Sequence, residues 1–145
     1  MIRDLLPKDK ELFIAMAKEF YASAAVAHNV DVRNFAITFN AAMANSPFIR
    51  ALIIEAEQKP AGYALLSFTY SNEAGGMVVL IEELYINKAL RGKGLASEFF
   101  NFLEQEYPLA KRFRLEVRQD NKKAISLYQK LGYQSLDYVQ MIKDC

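Results

Sequence analysis

"LRGKGLASEFF", residues 90–100, sets two glycines and two cations in four consecutive positions, Arg91-Gly92-Lys93-Gly94, directly ahead of an apolar helical pattern. The chain has only six glycines, so a pair of them at the mouth of a helix calls for a reason. The first turn of a helix carries backbone N–H groups without intrahelical partners, and the helix dipole adds partial positive charge there. A missing Cβ lets a phosphate approach such a backbone closely, so the stretch reads as a seat for an anion. Taken alone, it reads equally well as a plain glycine turn. Two known phosphate loops do not match it. A P-loop needs Gly-Lys followed by Ser or Thr, and Gly94 stands there instead; a dinucleotide fingerprint needs a third glycine where Ser97 stands.

The flanking segments alternate helical and strand patterns. Residues 2–6 read as a short strand ended by Pro7. Phe13, Met16, Ala17 and Phe20 then fall at i, i+3, i+4 and i+7, the spacing of an amphipathic helix. Asp31 can cap a second helix with Val32, Phe35, Phe39 and Met43 on its apolar face, closed before Pro47. "IRALIIEAE", "GYALLSFTY" and "MVVLIEELYI" are rich in β-branched and aromatic residues, and the separators "QKPA" and "SNEAGG" read as hairpin loops. Leu95, Phe99, Phe102 and Leu103 define a helix that stops before Pro108. "RFRLEVR" alternates as a strand, and a last helix runs from about Asn121 to Leu131, with Gly132 as its cap. "YQSLDYVQMIKD" reads as one or two closing strands. The expected order is βααββββαβαββ, an α+β fold on a mostly antiparallel sheet. Only the strand–helix–strand crossover near residues 80–118 needs a parallel pairing.

With 145 residues, no repeat and no linker, one domain spanning 1–145 is expected. Eighteen Lys and Arg against 17 Asp and Glu leave a net charge of +1, which is no footprint for nucleic acid. Cys145 is the only cysteine and His28 the only histidine, so neither a disulfide framework nor a Cys/His metal site is expected. No basic leader precedes an apolar core and no stretch suits a membrane span, so the reading is a cytoplasmic protein.

The loop fits the pattern R/Q-x-x-G-x-G/A as Arg91-Gly92-Lys93-Gly94-Leu95-Ala96, with Ala96 in the last position. It resembles the coenzyme A pyrophosphate loop of the GCN5-related N-acetyltransferase (GNAT) superfamily. Downstream, "NKKAISLYQKLGY" is similar to that superfamily's N-x-x-A-x-x-x-Y-x-K/R-x-G-F/Y segment at Asn121, Ala124, Tyr128, Lys130, Gly132 and Tyr133. Upstream, "LIEELYINKALRGKG" resembles its fourth strand, which splays from the fifth to leave a slot. The resemblance covers roughly residues 78–134; residues 1–60 match in pattern only.

What the resemblance implies is an acetyltransferase with acetyl coenzyme A as cosubstrate and no metal. Arg91, Gly92, Lys93, Gly94, Leu95, Ala96 and Ser97 would hold the pyrophosphate, and Asn121 and Tyr128 would also line the cofactor. The backbone of Leu84, Tyr85 and Ile86 would pair with the pantetheine arm, as an added strand does. The Leu84 amide would polarise the thioester carbonyl, Tyr128 would protonate the leaving thiolate, and Glu82 would serve as base. Glu83 is the fallback base, expected on the opposite strand face. Each residue also has a plainer reading. Tyr128 lies on the apolar face of its helix with Ala124, Leu127 and Leu131, as a core tyrosine would. Asn121 suits an N-cap, and either glutamate suits a solvated position.

The acceptor side carries no motif; Tyr21, His28, Tyr70 and Tyr138 are candidate lining residues. "IEELY" with its preceding hairpin is similar to diamine acetyltransferases, which points to a small amine such as a polyamine or an amino-acid-like amine. Three other readings stay open: a peptide or protein N-acetyltransferase, a catalytically idle coenzyme A-binding module, and a structural α+β domain whose glycines serve only the turn. The family also allows a homodimer, in which a short closing strand would exchange or extend a sheet edge.

Overall fold

The computed structural model describes residues 1–145. Its elements are β1 (Ile2–Asp4), α1 (Lys10–Tyr21), α2 (Arg33–Met43), β2 (Ile49–Ala56), β3 (Lys59–Ser71), β4 (Gly76–Ile86), α3 (Leu95–Glu106), β5 (Arg112–Leu115) and α4 (Lys122–Lys130). Short 3-10 turns at Pro7–Asp9 and Lys88–Leu90 precede α1 and the glycine loop. The five strands form one sheet in the order β1-β2-β3-β4-β5. Every neighbour is antiparallel except β4 and β5, the pair that the crossover required. No helix is long and apolar enough to cross a membrane.

Strand side chains alternate between the sheet faces, and the core divides accordingly. Ala51, Ile53, Tyr63, Leu65 and Tyr85 face α1 and α2, where they meet Phe13, Met16, Phe35 and Phe39. Their sequence neighbours Leu52, Ile54, Ala64 and Leu66 face the other way, joining Val79 and Ile81 beneath Leu95, Phe99, Phe100 and Leu103 of α3. The sheet is therefore covered by the first helix pair on one face and by the crossover helix on the other. Asp31 caps the amide of Arg33 at 2.9 Å, as expected of the residue opening α2. Glu57 and Gln58, both at positive φ, make the β2–β3 turn, the geometry of a two-residue primed hairpin.

Two expectations about element order are corrected. Three strands, not four, separate α2 from α3. The closing strands over residues 133–144 do not form: residues 134–145 are exposed throughout and make no ladder. A strand needs a partner edge as well as β-forming residues, and only four residues of β5 pair, all of them with β4.

Candidate active site

β4 and β5 pair only from Val78 with Arg112 to Ile81 with Leu115. Beyond that point β5 ends while β4 runs on to Ile86, leaving the β5-facing side of residues 82–86 without a strand beside it. The direction of the backbone groups along this gap follows from the ladder with β3. The amide of Asn87 donates to the Ala61 carbonyl at 2.7 Å. In an antiparallel pair, hydrogen-bonded and non-bonded positions alternate. Tyr85 opposite Tyr63 and Glu83 opposite Leu65 therefore turn their backbone groups to β3, while Leu84 and Ile86 turn theirs into the gap. An ideal Cβ on Gly62 would lie 2.1 Å from the Tyr85 carbonyl oxygen, which places that oxygen on the β3 side as well. Of the three residues expected to offer backbone to a ligand arm, Leu84 and Ile86 face the gap and Tyr85 does not. The Tyr85 hydroxyl instead donates to Glu19 of α1 on the sheet's other face, and burial raises its pKa to about 12.

The glycine loop closes one end of the gap. Gly92 and Gly94 sit at φ of 77° and 82°, a region that side chains with a Cβ avoid. The backbone amides from Gly92 to Ser97 donate to no protein group; the first amide to do so is that of Glu98, to the Gly94 carbonyl at 2.9 Å. Lys93 is exposed and free of ion pairs, and Arg91 folds back to donate from Nε to the Ile86 carbonyl at 2.9 Å. Glu98, the one acid of this helical turn, is drawn to the N-terminal amine at 3.0 Å. A run of unpartnered amides with two cations beside it suits a pyrophosphate.

The carboxylates occupy the α1–α2 face. The β3–β4 register shifts between Leu65 and Leu66, which oppose Glu83 and Ile81, so Glu82 is the extra residue of a β-bulge. The bulge overturns the expectation that the two glutamates point to opposite faces. Glu82 is exposed and accepts from Ser67 Oγ at 2.6 Å, and Ser67 shares the parity of Tyr63 and Leu65 on β3. Glu83 is 8% exposed; Tyr21 donates to its Oε1 at 2.5 Å and Tyr63 to its Oε2 at 2.6 Å. Burial pushes the Glu83 carboxyl above its ordinary value, with the two phenols pulling the other way and the Glu82 charge adding to the rise. Tyr21 and Tyr63 are raised in turn, chiefly by burial and then by the carboxylate they share.

Tyr128 stands on the opposite face. Its ring packs edge-on against Phe100 at 5.7 Å between centroids and lies 6.1 Å from Tyr133; its hydroxyl bonds to no protein group. Burial alone raises its pKa. Leu84 packs against the same α3-side core. Asn121 is the N-cap of α4, accepting from the Ala124 amide at 3.3 Å. The gap thus has carboxylates on one side, a free phenol on the other and the Leu84 backbone between them.

Tyr21 and His28 line a recess with Ala22, Ser23, Val26, Ala27 and Asn29, joined to Glu83 through the Tyr21 hydroxyl. Arg118, beyond β5, donates to the Val26 carbonyl at 3.1 Å and ties this α1–α2 loop across the sheet end. Tyr70 and Tyr138 do not belong here. Tyr70 opposes Met77 at the far end of β3, about 17 Å from Leu65 at ~3.3 Å per residue, and Tyr138 bonds to Glu73 of the β3–β4 turn. Glu19, Tyr63 and Ser67 were not singled out in the sequence. Only the last two carried a signal, through their parity on a strand opposite the glutamates.

Comparison with known proteins gives the family and the fold. Residues 12–133 match the model of the acetyltransferase (GNAT) family. Thialysine N-epsilon-acetyltransferase of Mus musculus is 30% identical, over 93% of this chain and 84% of its own. Among solved structures, a predicted acetyltransferase of Clostridium acetobutylicum with acetyl-CoA superposes with a TM-score of 0.78 at 20% identity, over 99% of this chain and 95% of its own. The aminoglycoside acetyltransferase AAC(6')-Iy, solved with a bisubstrate analogue of CoA and acetylneamine, superposes at 0.80 with 14% identity, over 100% and 97%.

Proposed function

The chain belongs to the GNAT acetyltransferase family, and from that premise we infer that it moves an acetyl group from acetyl coenzyme A to the primary amine of a small cationic molecule. The observation that carries this reading is the gap itself, with a free strand edge at Leu84 and Ile86 that runs from an anion seat to a pair of carboxylates. The amides of residues 92–97 with Lys93 hold the pyrophosphate, and the backbone of Leu84 and Ile86 takes the pantetheine arm as an added strand. Arg91 locks the loop to the end of β4 through its bond to Ile86. Asn121 serves through the start of α4, which it caps.

An amine of lysine type has an ordinary pKa of about 10.4 and arrives protonated. It must lose that proton before attack. Glu82 is the base: it is exposed and oriented by Ser67, whereas both oxygens of Glu83 are already taken by Tyr21 and Tyr63. Glu83 and its two phenols form the fixed floor against which the acceptor rests, and its charge favours a cation there. The Leu84 amide faces the thioester oxygen, where negative charge develops, and Tyr128 gives a proton to the departing thiolate. Holding both substrates in one slot supplies much of the rate.

The small-amine acceptor rests on the thialysine acetyltransferase relatives together with the two carboxylates, Glu82 and Glu83, on one sheet face, the second bonded by Tyr21 of the neighbouring recess. The test is thiol release from acetyl coenzyme A with thialysine, lysine, polyamines, aminoglycosides and short peptides, each against an amine-free blank. Release with any of the first four supports the reading. Release with peptides alone moves the acceptor to a polypeptide, and a flat panel leaves a binding module.

A further inference from the structure

On the reading of the gap as an acetyl-transfer site, on which this rests, we propose that Arg118 selects an amino acid as acceptor. Arg118 holds the carboxylate of that amino acid at the α1–α2 loop, while the amine at the end of its side chain reaches Glu82.

The position of Arg118 comes first. Phe113 and Leu115 of β5 pack on the α3-side core, and alternation sends the residues between and after them to the other face. Arg118 is found there: its Nη1 donates to the Val26 carbonyl of the α1–α2 loop at 3.1 Å. Since β4 and β5 last pair at Ile81 and Leu115, Glu82 and Glu116 begin the two walls of the gap. Arg118 lies two residues further, roughly 7 Å along an extended chain. A four-carbon arm has about that reach, so its amine can meet Glu82 while its head group meets Arg118.

The chemistry of the two ends differs. Glu82 and Glu83 share the amine end, and Tyr21 joins the second to the recess of the α1–α2 loop. No acid lines that recess, where His28 and Asn29 bring further N–H donors. Arg118 binds Asp120 through Nε at 3.2 Å and Nη2 at 3.1 Å. With Val26 also held, two of the five guanidinium N–H groups are left for a carboxylate. Asp120 is 70% exposed and keeps lone pairs for an ammonium beside it. A cation and an anion side by side complement the head group of an amino acid. The second ammonium of a diamine would instead meet Arg118 next to the acid it needs, which disfavours it.

The experiment is steady-state thiol release with lysine, lysinamide and cadaverine, in the parent and in Arg118→Gln. The three share one amine on one length of arm; only lysine carries a carboxylate, and cadaverine has no head group beyond its second amine. In the parent, kcat/KM for lysine should exceed that for the other two about tenfold or more. In Arg118→Gln that ratio should fall towards one, through KM, while calorimetric titration of acetyl coenzyme A shows the chain folded. Equal use of the three amines by the parent overturns the proposal and leaves acetyl transfer standing, as does release with cadaverine alone. An Arg118→Gln chain that slows all three alike also overturns it, because that is the mark of a tie to Val26 and nothing more. No release with any amine strikes the acetyl-transfer reading, and this proposal with it. Should Arg118→Gln misfold, the lysine-to-lysinamide ratio of the parent decides alone.

Discussion

Replacing Gly62 with alanine asks whether the β3–β4 pairing sets the gap. The added Cβ would fall 2.1 Å from the Tyr85 carbonyl oxygen and 3.1 Å from Ile86 Cδ1. That oxygen is backbone, directed at β3, with no rotamer to escape into. Ordinary carbon–oxygen contacts begin at roughly 3.3 Å, so the strands must part by about 1 Å. Overpacking of this kind costs about 1–3 kcal/mol, and weakening the Tyr63–Tyr85 ladder adds about 1 kcal/mol. At ~3 °C per kcal/mol for a chain of this length, the melting midpoint falls by roughly 6–12 °C. The same displacement carries Leu84 and Ile86, and a misplacement of about 1 Å in a positioning group costs on the order of 10–100-fold. Circular dichroism melts and calorimetric titration of acetyl coenzyme A read the two effects. Gly75→Ala is the control: its φ of +83° strains alanine by about 1–2 kcal/mol, but no heavy atom lies within 4 Å of the new Cβ, so affinity stays put. A Gly62→Ala chain that melts within about 2 °C of the parent and binds as well refutes the reasoning.

Tyr128→Phe leaves acetyl coenzyme A affinity within a few-fold and lowers kcat by roughly tenfold or more, read as a split between KM and kcat; unchanged turnover returns Tyr128 to the core around Phe100. Glu82→Gln lowers kcat by about 10²-fold, whereas the same loss in Glu83→Gln with Glu82→Gln active would transfer the base to the buried carboxylate. Glu83 also governs stability. Its folded pKa is raised, so the native state holds its proton more tightly than the unfolded chain, and stability falls as pH climbs from the ordinary glutamate value through the raised one. Urea titrations at stepped pH should show that decline in the parent and not in Glu83→Gln. Asp4 and Asp9, held low by Arg50 and Arg3, act with the opposite sign and at lower pH, where stability falls as they are protonated.

The parts of the fold that one element decides for itself were legible. Phe13, Met16 and Ala17 are buried as their helical spacing required, and Arg91–Ala96 opens a helix with glycines at positive φ. The parts decided between elements were not. "IEEL" shows two adjacent acids that simple alternation sends to opposite faces; the bulge that unites them exists only in the register with β3. The Tyr21–Glu83 bond joins residues 62 apart, with no trace in either local pattern. The tail from Tyr133 has the residues of a strand, but a strand also needs a partner edge, and these residues make no ladder. Tyr85 looked interchangeable with Leu84 and Ile86 because backbone direction is a property of the ladder, not of the residue.

Calorimetric titration of acetyl coenzyme A beside S-acetylpantetheine measures what the glycine loop is for. Both carry the thioester and the arm proposed to lie along Leu84 and Ile86, and only the first carries the pyrophosphate. With charge-assisted bonds from the amides of residues 92–97 worth about 1.5–3 kcal/mol each, coenzyme A should bind at least ~10²-fold more tightly, with one site per chain. Equal affinities would mean that the loop seats no anion, and the account of this gap as an acetyl coenzyme A site would fail with it.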